Sequence, residues 1–550
     1  MTSKDAGLWD LLLRDDAQGV LHHWEEDGFG HVPWREVVAD AHGMAAALRA
    51  AGVGPGTRVA AVLTNTAHTL RGLLAVWLAG GTLASFPLPA RGVSPEEYGA
   101  QLAGLTERLD PAVMLVERRL QPLVPAHLAQ RIPVFDWVEL YSGERIEPTP
   151  PAAGETAFIQ YSSGSTSLPK GCALTTQAIA TQLHMIHEMT GGRPGPRSET
   201  IASWLPLSHD MGLFGTMLHA WAFDYDFVLS SPERFGMAPR TWFRDMSEFG
   251  ATITAGTNTA LYLAARAQGR SPLPKALRLT VCVIGAERVD PQTLEYAYQT
   301  FRGSGLEKTA LMPAYGMAEA TLAVSTSPVG VLPVSRGFNT SALLEGKVVE
   351  VDPSTPDATH LVSNGPPLPG VEIRSAVPDQ VSELLISSPS LATGYHGDPE
   401  RSAERFRNGF LHTGDLGFVH DGEVYFVGRA DDLISVGGRN VYTSGIEAAI
   451  EAMGPVRKGC SALVDLPGAT GSHLVLLLEP RRAGDDFESI AGEAAAVARA
   501  TSGVSLAECV FLERGHLPRT PSGKIQRFRC RALLGQGSGR LKPLARVRLA

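Results

Sequence analysis

Residues 37–64, VVADAHGMAAALRAAGVGPGTRVAAVLT, hold the pattern on which the fold turns. Val37, Ala41, Met44 and Leu48 recur at helical spacing, which makes one face of a helix apolar. GVGPG then breaks the helix, and RVAAVLT reads as a buried strand. One helix feeding one buried strand is the repeating unit of an α/β sheet.

The alternation continues outward from that unit. A helix around GLLAVWLA leads to LASFPLP, a helix in EEYGAQLAGLTERL leads to AVMLV, and ATITAG, LTVCVIGA and TALMPAYG read as further strands. The class is multidomain α/β, with mostly parallel sheets covered by helices. After Tyr315 the pattern shortens to alternating strands such as VEIRSAV, SELLISS and GEVYFVGR, so a β-rich subdomain is expected over about 330–430. Beyond Asp431, helix EAAIEAM, strands SALVDL and HLVLLLEP, helix SIAGEAAAVARA and strand CVFLE form a self-contained α+β unit. The expected division is therefore 1–430 and 431–550.

At 550 residues the chain is too long for one ordinary core. Charged residues make up 19% and apolar ones 44%, which excludes a disordered chain and a membrane bundle. Net charge is -9 and the one basic stretch is the short tail GRLKPLARVR, so no nucleic-acid partner is expected. Five cysteines without a CxxC pair suggest neither a disulfide framework nor a zinc site, and a cytoplasmic setting fits. The N-terminus MTSKDAGLWDLLLRDD places acids on both sides of a short apolar run, which is wrong for a secretory signal. GLLAVWLAGGTLASFPLPA is long enough to raise the membrane question, but Gly80-Gly81, Pro87 and Pro89 read better as helix, turn and strand. No integral membrane span is expected.

The segment YSSGSTSLPKG, Tyr161 to Gly171, follows the apolar run TAFIQ. It is either a solvated loop or a backbone cradle for an anion, and composition alone favours the loop. Further segments follow in order: WLPLSHDMGL at 204–213, YGMAEATL at 315–322, HTGDLG at 412–417, GRADDLISVGGRN at 428–440 and RTPSGKIQR at 519–527. Together they resemble the adenylate-forming superfamily of acyl-CoA synthetases, adenylation domains and luciferases, over nearly the whole chain. FPLPARGVSPEEYGAQL, HDMGL, GAERVDPQTLE and PAYGMAEATL are similar to the fatty acyl-AMP ligase branch. So is the 49-residue separation of Gly316 and Gly365 (365 − 316), which is longer than in CoA ligases by about twenty residues; loops of that length are usually functional or disordered. The resemblance implies two helix-covered sheets in the large domain, a small mobile C-terminal domain, and an insertion that restrains that domain and disfavours CoA.

The resemblance implies attack of a carboxylate on the α-phosphate of ATP, with Mg²⁺ as cofactor and pyrophosphate leaving. Two anions must be held in line and the spreading charge neutralised. Ser163, Gly164, Ser165 and Thr166 would offer donors to the β- and γ-phosphates, with Lys170 behind them. Ser167 stands where the family usually carries glycine, and GSTSLPK lacks the glycine before lysine that a Walker loop needs. Glu319 matches the family's Mg²⁺ ligand, a hard carboxylate for a hard cation; its plain reading is a solvated helix-start glutamate. Tyr315, Gly316 and Met317 would flank the adenine on one side and Gly285, Ala286 and Glu287 on the other. Ala318 replaces the threonine common in CoA ligases. Asp415 would take the ribose hydroxyls with Arg429 beside it, or simply cap a turn.

His209 is by itself a lone histidine in a turn; by resemblance it gates the carboxylate site. Its neighbour Asp210 leaves open the amine recognition of amino-acid-adenylating domains, although HDMGL matches acyl-AMP ligases better. Lys524 would mean nothing as a surface lysine, but matched to the family motif it swings in to meet the α-phosphate and carboxylate. Asp431 matches the hinge about which the small domain rotates, bringing Gly437 and Gly438 toward a phosphopantetheine tunnel. SVGGRN resembles CoA ligases at least as much as acyl-AMP ligases, in conflict with the insertion. The implied activity is adenylation of a largely apolar carboxylic acid, then transfer to a thiol of CoA or an acyl carrier protein. An amino-acid-adenylating domain and a nucleotide-binding module without catalysis are the alternatives.

Overall fold

The structure is a computed structural model that describes residues 6–89, 93–141, 144–161, 169–193, 195–269, 271–436, 439–468, 471–519, 525–535 and 543–549. The opening stretch folds as the helix Trp34–Ala50, a turn, and the strand Arg58–Val62, whose last four residues are buried. The apolar run at 72–90 divides into the helix Ala67–Leu78, a turn with Gly80 at φ +95°, and the strand Thr82–Phe86. A Cβ at Gly80 would lie 2.9 Å from Pro55, so the tight turn needs glycine on both counts. Among the described residues no helix is long and apolar enough to cross a membrane.

Two sheets carry the large N-terminal domain. The first has six strands in the order 134–135, 113–115, 58–62, 82–86, 156–161, 171–175, parallel except for the last pair. The second has eight, in the order 323–326, 311–316, 281–285, 253–257, 200–203, 226–229, 20–24, 29–33, with antiparallel pairs only at its two edges. The edge hairpin Val20–Trp24 and Phe29–Pro33 is a feature the sequence reading did not foresee. Helices fill the space between sheets, and one core runs from Leu8 to Tyr395 through Trp34, Trp77, Phe158, Phe214 and Trp221. Local chemistry starts these helices: Ser94 and Glu97 close a reciprocal capping box with Pro95 at the first turn, and Thr66, Thr175 and Thr257 each accept a backbone N–H three residues on.

The β-rich segment forms two small sheets. One joins 372–375, 382–387, 410–420 and 406–407, with 423–429 on the long strand's other edge. The other is built by the long connection after Gly316: strands Ser335–Asn339, Glu350–Val351 and Ala358–Val362 and the helix Thr340–Leu344, with Phe338, Leu343 and Leu361 buried against Phe418 and Tyr425. The connection is thus a folded element, held by a small core that it shares with the neighbouring sheet. The C-terminal region places strands 456–468, 471–480, 506–512 and 543–548 in one sheet, covered by the helices Thr443–Glu451 and Phe487–Ser502 over a separate core of Ile446, Ile450, Leu476, Leu478 and Phe511. Residues 543–548 of the basic tail supply its edge strand, because Leu544, Ala545 and Val547 pack onto that core and leave Arg546 and Arg548 outward.

Candidate functional site

Parallel sheets collect ligands outside the carboxyl ends of their strands. Here the strands Ile253–Thr257, Val281–Gly285 and Leu311–Gly316 end side by side, with Thr257 opposite Gly285 and Ile284 opposite Pro313. Beyond those ends opens a cavity of about 1240 Å³, walled by both sheets, the β-rich segment and the C-terminal region. Two backbone devices shape its rim. Ala286 takes φ +64°, and a Cβ on Gly316 would lie 1.9 Å from the Leu322 carbonyl oxygen. The second fixes a turn from Met317 to Thr321, where Thr321, fully buried, sits at φ +66° and donates to the Ser390 carbonyl (2.7 Å). A β-branched residue in that region is strained, and such strain collects at functional turns.

Glu319 rides on this turn. Tyr395 donates its hydroxyl to Glu319 Oε1 (2.9 Å), and Lys170 Nζ stands 5.5 Å from the centre of the Tyr395 ring. Burial lowers the Lys170 pKa and Arg401 adds to this, against the pull of Glu319. Burial and then Glu319 push the Tyr395 phenol far up, so it stays a donor. Glu319 Oε2 has no hydrogen-bond partner among the described residues and lines the cavity, which suits a hard divalent cation.

Tyr315 donates to Asp415 Oδ2 (2.8 Å), and Arg429 Nε lies 3.2 Å from Asp415 Oδ1. The pairing is set by register, since Asp415 and Arg429 oppose each other on adjacent antiparallel strands. Burial, then Asp415, raises the Tyr315 pKa; burial works against the Arg429 charge, but Asp415 and its neighbours Asp432 and Asp431 outweigh it. Asn364 joins the two sheets, donating to the Ala314 carbonyl (3.1 Å) and accepting from Phe426 N–H.

His209 caps the short helix Asp210–Gly212, where its Nδ1 lies 2.6 Å from Asp210 Oδ1. The same Asp210 oxygen accepts the Met211 N–H (2.8 Å), so this carboxylate is engaged locally rather than aimed at a substrate amine. A π-helical segment, Leu213–Leu218, follows; such segments cluster at functional sites. Met211, Gly215, Ile186, Met189, Leu322 and Val283 make this end of the cavity apolar.

The C-terminal region closes the cavity with Asp431, Asp432, Arg519 and Ile525–Arg527. Arg527 links Asp432 (3.2 Å) with Glu447, whose Oε1 also accepts the Leu463 N–H (2.7 Å). Burial opposes the Arg527 charge, yet Glu447 and Asp432 hold its pKa well above the ordinary value.

Of the residues singled out from sequence, Lys170, His209, Gly285, Ala286, Glu287, Tyr315, Gly316, Met317, Ala318, Glu319, Asp415, Arg429 and Asp431 all line this one cavity. The Glu287 carboxylate turns to Thr259, accepting its N–H and its hydroxyl (3.1 Å), which leaves only the Glu287 backbone for a base. Ser163, Gly164, Ser165, Thr166, Gly437, Gly438 and Lys524 lie outside the described residues. Sequence reasoning missed Tyr395, Asn364, Glu447 and Arg527. Arg527 stood within RTPSGKIQR and carried a signal; Tyr395 carried none, because its partner is 76 residues away.

The chain belongs to the AMP-binding enzyme family, whose profile matches residues 20–396. It is 29% identical to a 4-hydroxyphenylalkanoate adenylyltransferase of Mycobacterium marinum, over 92% of this chain and 86% of the relative. It is 32% identical to the medium-chain-fatty-acid–[acyl-carrier-protein] ligase JamA of Moorena producens, over 70% of this chain and 68% of that one. A solved structure from a study of fatty acyl-adenylate ligases of E. coli and L. pneumophila superimposes with a TM-score of 0.89 at 27% identity, covering 98% of this chain and 99% of that chain.

Proposed function

We propose that this chain adenylates a largely apolar carboxylic acid with ATP and passes the acyl group to a phosphopantetheine thiol on a carrier protein. The observation that carries the reading is one cavity holding three chemistries: the Tyr315–Asp415–Arg429 group, the Glu319 carboxylate, and an apolar end behind His209. The substrate carboxylate oxygen forms a bond to the α-phosphorus while the bond to the β-phosphate oxygen breaks, and pyrophosphate leaves with that electron pair. Asp415 holds the ribose diol, with Tyr315 and Arg429 fixing its carboxylate. Glu319 would hold Mg²⁺, which when bound neutralises phosphate charge. His209, braced at Nδ1 by Asp210, turns Nε2 to the substrate carboxylate. In the second half-reaction the thiol gives its proton to solvent and its sulfur bonds to the acyl carbon, while the bond from that carbon to the phosphate oxygen breaks and AMP leaves with the electron pair.

The boundary near Asp431, its role as hinge, and the phosphate contacts of Ser163–Thr166 belong to the same reading. Ile525, Gln526 and Arg527, the residues that follow Lys524 in the chain, line the cavity, which supports an arrangement suited to adenylation. One charge-assisted contact at a developing phosphoryl charge is worth about 3 kcal/mol, or 10²-fold in rate. Lys524→Ala is expected to lose at least 10²-fold in pyrophosphate exchange with fatty acids while ATP still binds. Unchanged exchange would refute the assignment, and exchange driven by amino acids instead would favour an amino-acid-adenylating enzyme.

A further inference from the structure

A second cleft, of about 510 Å³, opens between the large domain and the C-terminal region, away from the strand ends that frame the main cavity. One wall is the helix Asn258–Gln268, with Leu263, Arg266 and Ala267. The other is one end of the C-terminal sheet, where Val456 pairs with Pro480 and Leu512 with Pro543; Arg457 is the second residue of its strand, Arg481 follows Pro480, and Arg514 stands two residues beyond Leu512. Four guanidinium groups thus line the cleft, against the single carboxylate of Glu513. That is a local excess of positive charge in a chain whose net charge is -9.

Neighbours cancel the excess only in part. Arg457 is paired with Glu479 at 2.5 Å, and the other Glu479 oxygen is taken by the Gly515 and Leu517 N–H groups. Arg481 uses only its Nε, on the Val456 carbonyl (3.2 Å). Arg266 and Arg514 have no hydrogen-bond or ion-pair partner among the described residues. Guanidinium groups left unpaired around one concavity are a receptor for acceptor oxygens, each fork matching two oxygens of a phosphate. Donors approaching from two walls call for an anion with several oxygen faces, and the enclosed volume fits a small ion rather than a macromolecular surface.

We infer that this cleft is a second anion site, specific for a polyphosphate group that bridges Arg266 of the large domain to Arg481 and Arg514 of the C-terminal region. An anion held from both walls binds only the arrangement in which they face each other, so it stabilises that arrangement by its differential affinity. The helix Asn258–Gln268 joins the two sites, since Asn258 and Thr259 at its start line the main cavity.

The test is calorimetric titration of the full chain with sodium tripolyphosphate, comparing wild type, Arg266→Ala and Arg514→Ala. Wild type is expected to show two binding events, one at the main cavity and one lost from the isotherm as salt rises. Each variant should weaken the second by at least tenfold while keeping the first, with an unchanged thermal midpoint. Isotherms identical in all three proteins would overturn the site. Loss in Arg514→Ala alone would overturn the bridge, and Arg266-dependent binding of hexaglutamate with none of tripolyphosphate would assign the cleft to an acidic peptide instead.

Discussion

Glu319 and Tyr395 meet through one hydrogen bond of 2.9 Å across 76 residues of chain. A hydrogen bond to a charged acceptor contributes about 1.5–3 kcal/mol, and here it also selects the rotamer that turns Oε2 to the cavity. Tyr395→Phe keeps the ring against Phe406 and beneath Lys170 but releases the carboxylate. The Mg²⁺ concentration for half-maximal pyrophosphate exchange is expected to rise about tenfold, with the circular dichroism spectrum unchanged. A metal titration with no shift would remove Tyr395 from the positioning of Glu319. At this scale the sequence announces charged residues set in motifs, such as Asp415 and Glu319. It is silent on the groups that orient them, because an orienting contact depends on where two distant segments cross and leaves no spacing to read.

Short elements carry the rim of the site, and their constraints are steric. Between Gly316 and Leu322 the chain turns back so tightly that Gly316→Ala would drive a methyl into the Leu322 carbonyl. Something must shift, and the turn is already strained at Thr321, so a loss of about 3 kcal/mol or more is expected, read as a fallen unfolding midpoint with poor soluble yield. A second element-scale expectation concerns the helix Thr443–Glu451, whose last residue accepts hydrogen bonds from Gly459 N–H, Ser461 N–H and the Ser461 hydroxyl. Burial nevertheless raises the Glu451 carboxyl from 4.5 to about 7, and Glu447 adds to the rise. The folded chain therefore holds this proton more tightly than the unfolded one. Its contribution is full below about pH 4.5 and fades as pH rises through about 7, by an amount of about 3 kcal/mol at most. Stability measured from pH 5 to 7.5 should fall more steeply in wild type than in Glu451→Gln; parallel slopes would deny the raised carboxyl. Most of these elements were legible: helices at 34–50 and 95–109 and strands at 58–62, 253–257 and 281–285 coincide with the sequence reading, because each is set by local periodicity and punctuation. The small sheet after Gly316 was not, since its strands are short, half-exposed and defined by Phe338 finding Phe418 and Tyr425.

At the scale of the whole molecule, few polar contacts among the described residues dock the C-terminal region. Lys458 Nζ reaches Asp290 Oδ2 (2.5 Å) and Thr293 Oγ1 (3.0 Å) over the Tyr262 ring, and Arg529 reaches Glu97 Oε2 (3.0 Å). Burial disfavours the Asp290 charge, yet Lys458 and Thr293 hold its pKa below the ordinary value. The paired residues are 168 and 432 positions apart, so no pattern in the chain could reveal them. Partly exposed ion pairs are worth up to about 1 kcal/mol each, and together these two set about 2 kcal/mol of preference for the observed arrangement. That is enough to change the ratio of two domain arrangements by more than tenfold. The double variant Lys458→Ala/Arg529→Ala should therefore slow acyl-adenylate formation several-fold in single-turnover assays. Under the proposed reading, in which the C-terminal region turns about Asp431 between half-reactions, transfer from added acyl-adenylate to a holo carrier protein should hold steady or quicken. An equal loss in both half-reactions would show that the contacts stabilise the fold without choosing between arrangements.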